Sequence, residues 1–439
     1  MTHFPNKVGV LVPELLLPAR EVDISKWAMV ACDQFTSEPE YWDAARAYIG
    51  DAPSTLDLFL PEVYLGKPGE QERIAAIRAN MCDYMAKNVL QKLPQGFALV
   101  KRQVASRTRW GLVMALDLEE YDYNKGSATL IRATEGTIVD RIPPRLCIRE
   151  GAPLELPHIL VLIDDPNRMV IEPLTAGTDA LRELYDTELL DGGHISGWLV
   201  DGAVQIQQVL DALTALTDPV AFAAKYGERP PLLFAMGDGN HSFATAKANW
   251  ENIKQTLPPD ERTAHPARWA LVEVENVHDA GIVFEPIHRV LFGVDTADIV
   301  PRLQAKLAAR SDACAVVLGE IPTAGENTHV LPFVTDKQTG AFVVTAPDQQ
   351  LPVGTLQNAI DALLPEIAGS EVDYIHGADV VAKLAARGNA IGFTLPAMRK
   401  DELFPTVVYD GALPRKTFSM GEANEKRYYL ECREIERGK

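Results

Sequence analysis

The chain is short of cysteine and of positive charge, and it has no long apolar run. Its five cysteines (Cys32, Cys82, Cys147, Cys314, Cys432) are widely spaced, with no Cys-x-x-Cys pair. A thiolate zinc site therefore has no support. An odd, sparse set of thiols suits a reducing compartment. Lys and Arg total 42 against 61 Asp and Glu, a net charge of −19. Such a surface repels a phosphate backbone unless basic residues cluster locally. The one small cluster, Lys101, Arg102, Arg107 and Arg109, reads as a solvated strand edge, so nucleic acid is not an expected partner. No stretch of 18 apolar residues occurs, which predicts no membrane span. The first residues, Met1 to Lys7, lack the charged and apolar regions of a signal peptide, and cytoplasmic residence is the expectation. The spacings of a Walker A loop and of the Rossmann glycine fingerprint are also missing.

What is present is ordinary globular material: 47% hydrophobic and 23% charged residues over 439 positions. That length predicts two domains or one large elaborated domain. The Pro/Gly/Thr-containing stretch Gly319 to Thr328 is the expected boundary. It divides a main domain, residues 1–318, from a C-terminal sub-domain, residues 319–439, packed or not into the same unit.

Short apolar runs alternate with amphipathic stretches, predicting a mixed α/β fold. Ala98–Val100, Gly111–Leu116, Ala128–Ala133, Leu146–Ile148, His158–Ile163, Leu232–Met236 and Trp269–Val274 read as strands. Glu70–Leu93, Asp179–Leu190, Ala203–Leu216 and Ser242–Leu257 read as helices. A further helix starts near Ser37. Another follows Phe292 and ends near Ala309, with Pro301 in its first turn.

The most informative stretch is the apolar run ending at Met236, the turn Gly237-Asp238-Gly239-Asn240-His241, and the helix after it. Glycine allows positive φ and close approach of a ligand to the backbone. A helix that begins there aims unsatisfied N–H groups and the positive end of its dipole back at the turn, which favours a phosphate. Asp238 is a candidate to hold a divalent cation or a substrate hydroxyl, and His241 to donate to a phosphate or move a proton. The plainer reading is that Asp238 or Asn240 caps the helix and His241 packs.

The stretch from Leu233 to Ala246 resembles the signature of the domain-of-unknown-function 1015 family, an apolar strand followed by Ala-Asp-Gly-His-His-Arg-Tyr-x-Thr-Ala. Three further segments resemble that family in the same order: Arg132–Thr137 with Asp140-Arg141, Phe284–Arg289, and Leu413–Thr417. The loop more distantly resembles the phosphate-binding loop of the ParB/sulfiredoxin superfamily, which includes free serine kinases. This likeness implies an α+β fold with a ParB/sulfiredoxin-like core and large elaborations. It also implies binding of ATP or ADP, with Mg²⁺, and phosphoryl transfer to a small molecule.

The implied catalytic residues are Glu135, Asp238 and His241, with Asp238 on the metal. Gly237, Gly239, Asn240, Ser242, Arg141, His288, Arg289 and Lys247 are implied for phosphate or substrate.

Two departures matter. The family arginine is Ser242 here, so a bidentate phosphate contact is lost. Lys247, one turn further on, is the candidate to compensate, though only as a point charge. Sulfiredoxin chemistry needs a cysteine where this chain has Asn240.

Each remaining candidate has a plainer reading. Glu135 is either a general base or an exposed turn glutamate. Arg141 and Arg145 either bind an anion or form ion pairs. His288-Arg289 line strand ends or are structural, and His194 is a weaker case of the same kind. Asp33 enters the site or makes a turn, and Cys32 packs as a small apolar group.

The functional alternatives are a nucleotide-dependent small-molecule kinase, a nucleotide-binding regulatory protein with little turnover, and a non-catalytic scaffold. Homo-oligomerisation is left open.

Overall fold

The structure, a computed structural model, describes residues 4–436. The chain forms two compact units of mixed α/β structure. Unit 1 comprises residues 1–283 together with 420–439, and unit 2 comprises residues 284–419. The expected boundary after residue 318 instead falls inside unit 2, between two strands of one sheet. The chain leaves unit 1 and later returns to it, and local composition carries no mark of such a return.

In unit 1 the helices α1 (Pro39–Ile49) and α2 (Glu70–Ala86) precede the main run of strands. The strands that follow are β1 (Phe97–Val104), β2 (Arg107–Asp117), β3 (Tyr121–Asp122) and β4 (Ile131–Arg132). Helix α3 (Ile142–Arg149) precedes β5 (Leu160–Ile163). A hairpin of β6 (Arg182–Leu189) and β7 (Gly193–Val200) leads to α4 (Ala203–Ala215). Then come β8 (Phe234–Asp238), α5 (Asn240–Thr256) and β9 (Trp269–Asn276). These strands form one sheet in the order β6-β7-β1-β2-β9-β5-β8-β4-β3, with Val10–Leu11 added beside β2.

Period-two alternation divides the sheet into two faces. On β9, Ala270, Val272 and Val274 join Phe234 and Met236 of β8 in a core closed by α4 and α5. Helix α5 contributes Phe243, Ala244, Ala246 and Trp250 to this core. The opposite face presents Ala98, Val100, Val113, Ala115 and Leu271 to α1 and to the returning segment Tyr428–Leu430.

Two predicted elements changed type. Asp179–Leu190, read as helical, contains strand β6, which pairs antiparallel with β7 across its length. Tyr185, Thr187 and Leu189 are buried at every second position, so the strand partner decided what spacing left ambiguous. Leu146–Ile148, read as a strand, lies in helix α3. Pro143 and Pro144 occupy its first turn, where no intrahelical N–H bond is needed.

Unit 2 holds a six-stranded antiparallel sheet that includes His288–Phe292, Thr328–Val334 and Ala390–Phe393. Helices Ile299–Ala308 and Pro352–Leu363 pack together in this unit. Among the described residues, no helix is long and apolar enough to cross a membrane.

Trp250 carries the packing of α5 onto the sheet. It is fully buried, and its indole Nε1 donates to Glu119 Oε1 at 2.6 Å. Trp250→Ala is expected to lower stability by about 3–5 kcal/mol, read from the urea midpoint at unchanged slope.

Candidate functional site

Strand β8 delivers the glycine turn to the edge of the apolar core. Its first three residues are fully apolar and buried, and the polar residues begin where the strand leaves the core. Gly237 has no room for a side chain, because a Cβ there would lie 2.7 Å from Met420 Sδ. Gly239 is left-handed at φ +77 and forms the N-cap of α5. A Cβ at Gly239 would also crowd Ile159 Cα at 3.1 Å. Glycine is thus required twice over at this position.

The first turn of α5 sorts its backbone donors. Gly239 N donates to Asp238 Oδ1 at 2.9 Å, and Phe243 N donates to Gly239 O at 3.0 Å. The N–H groups of Asn240, His241 and Ser242 come before the first intrahelical bond and point out of the helix end. The Asn240 carboxamide oxygen is buried and accepts no hydrogen bond among the described residues.

Two other segments meet this turn. Strand β4 runs parallel to β8, and just beyond it Thr134 Oγ1 donates to Met236 O at 2.6 Å. Ile138 N approaches His241 Nε2 at 3.4 Å. The segment that carries Glu135 therefore lies along the turn, and Glu135 itself is half-buried. From the other face comes His158, whose Cδ2 is 3.5 Å from the position a Gly239 Cβ would take. His158 Nδ1 is bonded to the Tyr429 hydroxyl at 2.7 Å, and its Nε2 lies 3.9 Å from Asp33 Oδ2. The neighbouring Cys32 thiol is pushed up by burial and by the Asp33 and Glu62 carboxylates, which keeps it protonated and inert.

Asp238 does not stand open. Lys426, from the returning C-terminal segment, places Nζ 2.9 Å from Asp238 Oδ2. Burial would raise the Asp238 carboxyl, but the Lys426 ammonium and the Gly239 N–H hold it below the usual carboxylate range. The cation beside the loop is therefore an ammonium. Among the described residues, no group of three or more His, Cys, Asp or Glu side chains forms a metal cage. A magnesium ion held by Asp238 does not fit this donor set.

The other candidate residues have partners of their own. Lys247 reaches away from the turn: its Nζ donates to Leu118 O at 2.9 Å and pairs with Glu251 at 2.8 Å. It cannot compensate for the missing arginine. Arg141 is exposed and lies at the start of α3, which packs along α5. Arg145 is committed to Glu62. His194 pairs with Asp186 and Glu188 on the β6–β7 hairpin.

His288 and Arg289 belong to unit 2, each with partners there. His288 Nδ1 accepts from Leu395 N, and burial together with Arg289 lowers its pKa. Arg289 is fully buried and donates to Gln357, Ile287 and Arg415.

Sequence reasoning missed Lys426, His158 and Tyr429. The available signal was the density of charge and aromatic rings in Lys426-Arg427-Tyr428-Tyr429-Leu430-Glu431, in which every residue is buried. Buried Lys and Arg are seldom retained unless paired.

Comparison with solved structures finds distant likenesses. A free serine kinase in complex with AMP is 12% identical, with 74% of this chain and 91% of that one covered, at a TM-score of 0.36. SbnI with a C-terminal truncation, from Staphylococcus aureus, is 10% identical, with coverage of 70% and 81% and a TM-score of 0.35. A conserved hypothetical protein from Pyrococcus furiosus is 12% identical, with coverage of 72% and 90% and a TM-score of 0.35. No curated protein matches the chain. The model of the DUF1015 family, proteins of unknown function, matches residues 16–363, and the chain belongs to that family.

Proposed function

We propose that the turn at the start of α5 binds the phosphates of a nucleotide such as ADP or ATP, and that the protein is a nucleotide-dependent small-molecule phosphotransferase. One observation carries this reading: a left-handed Gly239 opens a 17-residue helix with a lysine ammonium beside it. The N–H groups of Asn240, His241 and Ser242 supply directional donors, and the helix dipole adds positive potential at the same point. Lys426 cancels the Asp238 carboxylate and offers the phosphate an ammonium donor where Ser242 carries no charge. It is a point charge rather than a fork, so it attracts phosphate without fixing its orientation.

In the transfer step, an acceptor hydroxyl oxygen forms a bond to the terminal phosphorus while the bond from that phosphorus to the nucleotide oxygen breaks. The hydroxyl proton passes to Glu135. His241, at the start of the helix, donates to the phosphoryl oxygens. No step is assigned to a protein-held metal, because the described residues do not form a cage for one.

A second reading, nucleotide binding without turnover, is favoured by the commitment of Asp238 to Lys426. Release of ADP or AMP in the presence of a panel of hydroxyl-bearing metabolites separates the two. Turnover supports the phosphotransferase. Calorimetric binding with no release under any acceptor supports the switch, and no binding at all overturns both.

Three substitutions probe the site by titration calorimetry with ADP and ATP. Lys426→Met removes a charge-assisted contact of about 1.5–3 kcal/mol, so affinity should fall roughly tenfold to a hundredfold. Ser242→Arg places a guanidinium at the helix start and should tighten binding. Gly239→Ala forces a side chain into a left-handed position, costing about 1–2 kcal/mol, and into Ile159. It should abolish binding while the protein still melts cooperatively. Unchanged affinity in both Lys426→Met and Gly239→Ala would place any nucleotide elsewhere.

A further inference from the structure

Helices α1 and α2 of unit 1, with residues 56–64 between them, line a cavity of about 300 Å³, at the small end of ligand pockets. Buried apolar side chains form its walls. Trp42 comes from α1, Ile77 from α2, and Phe59 and Leu60 from the segment between. The Trp42 and Phe59 rings meet edge to face, with centroids 5.9 Å apart.

Polar bonds within the chain hold that segment in place. Arg46 Nη2 lies 2.8 Å from Asp57 Oδ1, and the Tyr84 hydroxyl donates to Asp57 Oδ2 at 2.6 Å. Asn80 Nδ2, on α2, donates to the Asp57 carbonyl oxygen at 3.1 Å. Ser54 Oγ accepts from Leu56 N at 3.3 Å and caps the turn that carries Asp57. The cavity is thus built by the protein itself, and Arg46 and Asp57 neutralise each other at its edge.

Two further charges at the cavity are not spent in this way. Arg73, on α2, places its guanidinium over the Tyr64 ring, 4.2 Å from the centroid. That contact with the ring face positions the cation without consuming its N–H donors. Asp43, on α1, also lines the cavity. Among the described residues neither the Arg73 nor the Asp43 side chain has an ion pair or hydrogen bond, with each other or with any other residue. An exposed charge needs no partner in water, but here one of each sign stands beside an apolar cavity.

We infer that this cavity binds a free α-amino acid with a large apolar side chain. The side chain lies among Trp42, Phe59, Leu60 and Ile77, the carboxylate meets Arg73 and the ammonium meets Asp43. A zwitterion matches a lining whose two arginines and two aspartates balance. An apolar acid or an apolar amine would leave one of the two unpaired charges unanswered. The guanidinium fork can take a carboxylate through two parallel N–H bonds, and the walls suit an aromatic or branched apolar group. The site is built from other elements than the glycine turn and does not depend on the nucleotide reading.

Titration calorimetry on the full chain tests this with L-phenylalanine and L-leucine. Hydrocinnamate, phenethylamine and glycine serve as probes that lack the ammonium, the carboxylate and the side chain in turn. Saturable binding of at least one of the two apolar amino acids is expected, with the three probes at least tenfold weaker. Arg73→Met should weaken the amino acid and hydrocinnamate at least tenfold and leave phenethylamine unchanged. Asp43→Asn should weaken the amino acid and phenethylamine and leave hydrocinnamate unchanged. Both residues are exposed, so neither change should unfold the protein. Ala76→Trp, which fills the cavity from α2, should remove binding of every ligand. Failure of both amino acids to bind the unmodified protein overturns the proposal. So does binding indifferent to both Arg73→Met and Asp43→Asn, which would reduce the cavity to a nonspecific apolar cleft.

Discussion

The pairing of Lys426 with Asp238 ties the last segment of the chain to the turn that opens α5. Lys426 is buried, and its ammonium lies 2.9 Å from the Asp238 carboxylate. The residues after it repeat the theme along the sheet. Arg427 pairs with Glu273, Tyr429 holds His158, and Arg433 pairs with Glu155. Each pair joins the segment to a strand or strand end of unit 1. A buried pair broken on one side leaves an uncompensated charge, at a cost of about 3–5 kcal/mol. The segment is therefore held in one register, and Lys426 is delivered to one place.

That register controls the electrostatics of the turn. Without Lys426, Asp238 would present a bare carboxylate beside a helix N-terminus, where it would repel a phosphate and compete with it for the N–H groups. With Lys426 in place, the carboxylate is neutralised and depressed, and the net field at the turn is set by the helix dipole. The loss of the family arginine at Ser242 and the arrival of a lysine from a distant segment are two halves of one arrangement of charge.

The strand, the turn and the helix were legible because their signals are local. An unbroken apolar run, two glycines and a helix-forming stretch occur consecutively, and their structure needs no distant partner. Gly239 could be assigned a positive φ from its place between strand and helix. Asp33 could be suspected because it interrupts an apolar approach. The strand β6 could not be read, because Tyr185 and Leu189 satisfy helical spacing as readily as they satisfy alternation with Thr187. Lys247 looked like the compensating cation because it is near in sequence, yet its position on α5 turns it towards Leu118 and Glu251.

By itself, the sequence determined the mixed α/β class, the position of the glycine turn and the helix that follows it, since these depend on side-chain period and on backbone freedom at glycine. Tertiary structure alone decided which residues surround that turn. It brought Asp33, His158 and the pair Lys426 and Tyr429 from three separate segments, committed Asp238 to an ammonium, and set His288 and Arg289 in a different unit. The physical reason is that ion pairs and sheet register act through space between residues far apart in the chain, and periodicity within one segment does not encode the partner that another segment will supply.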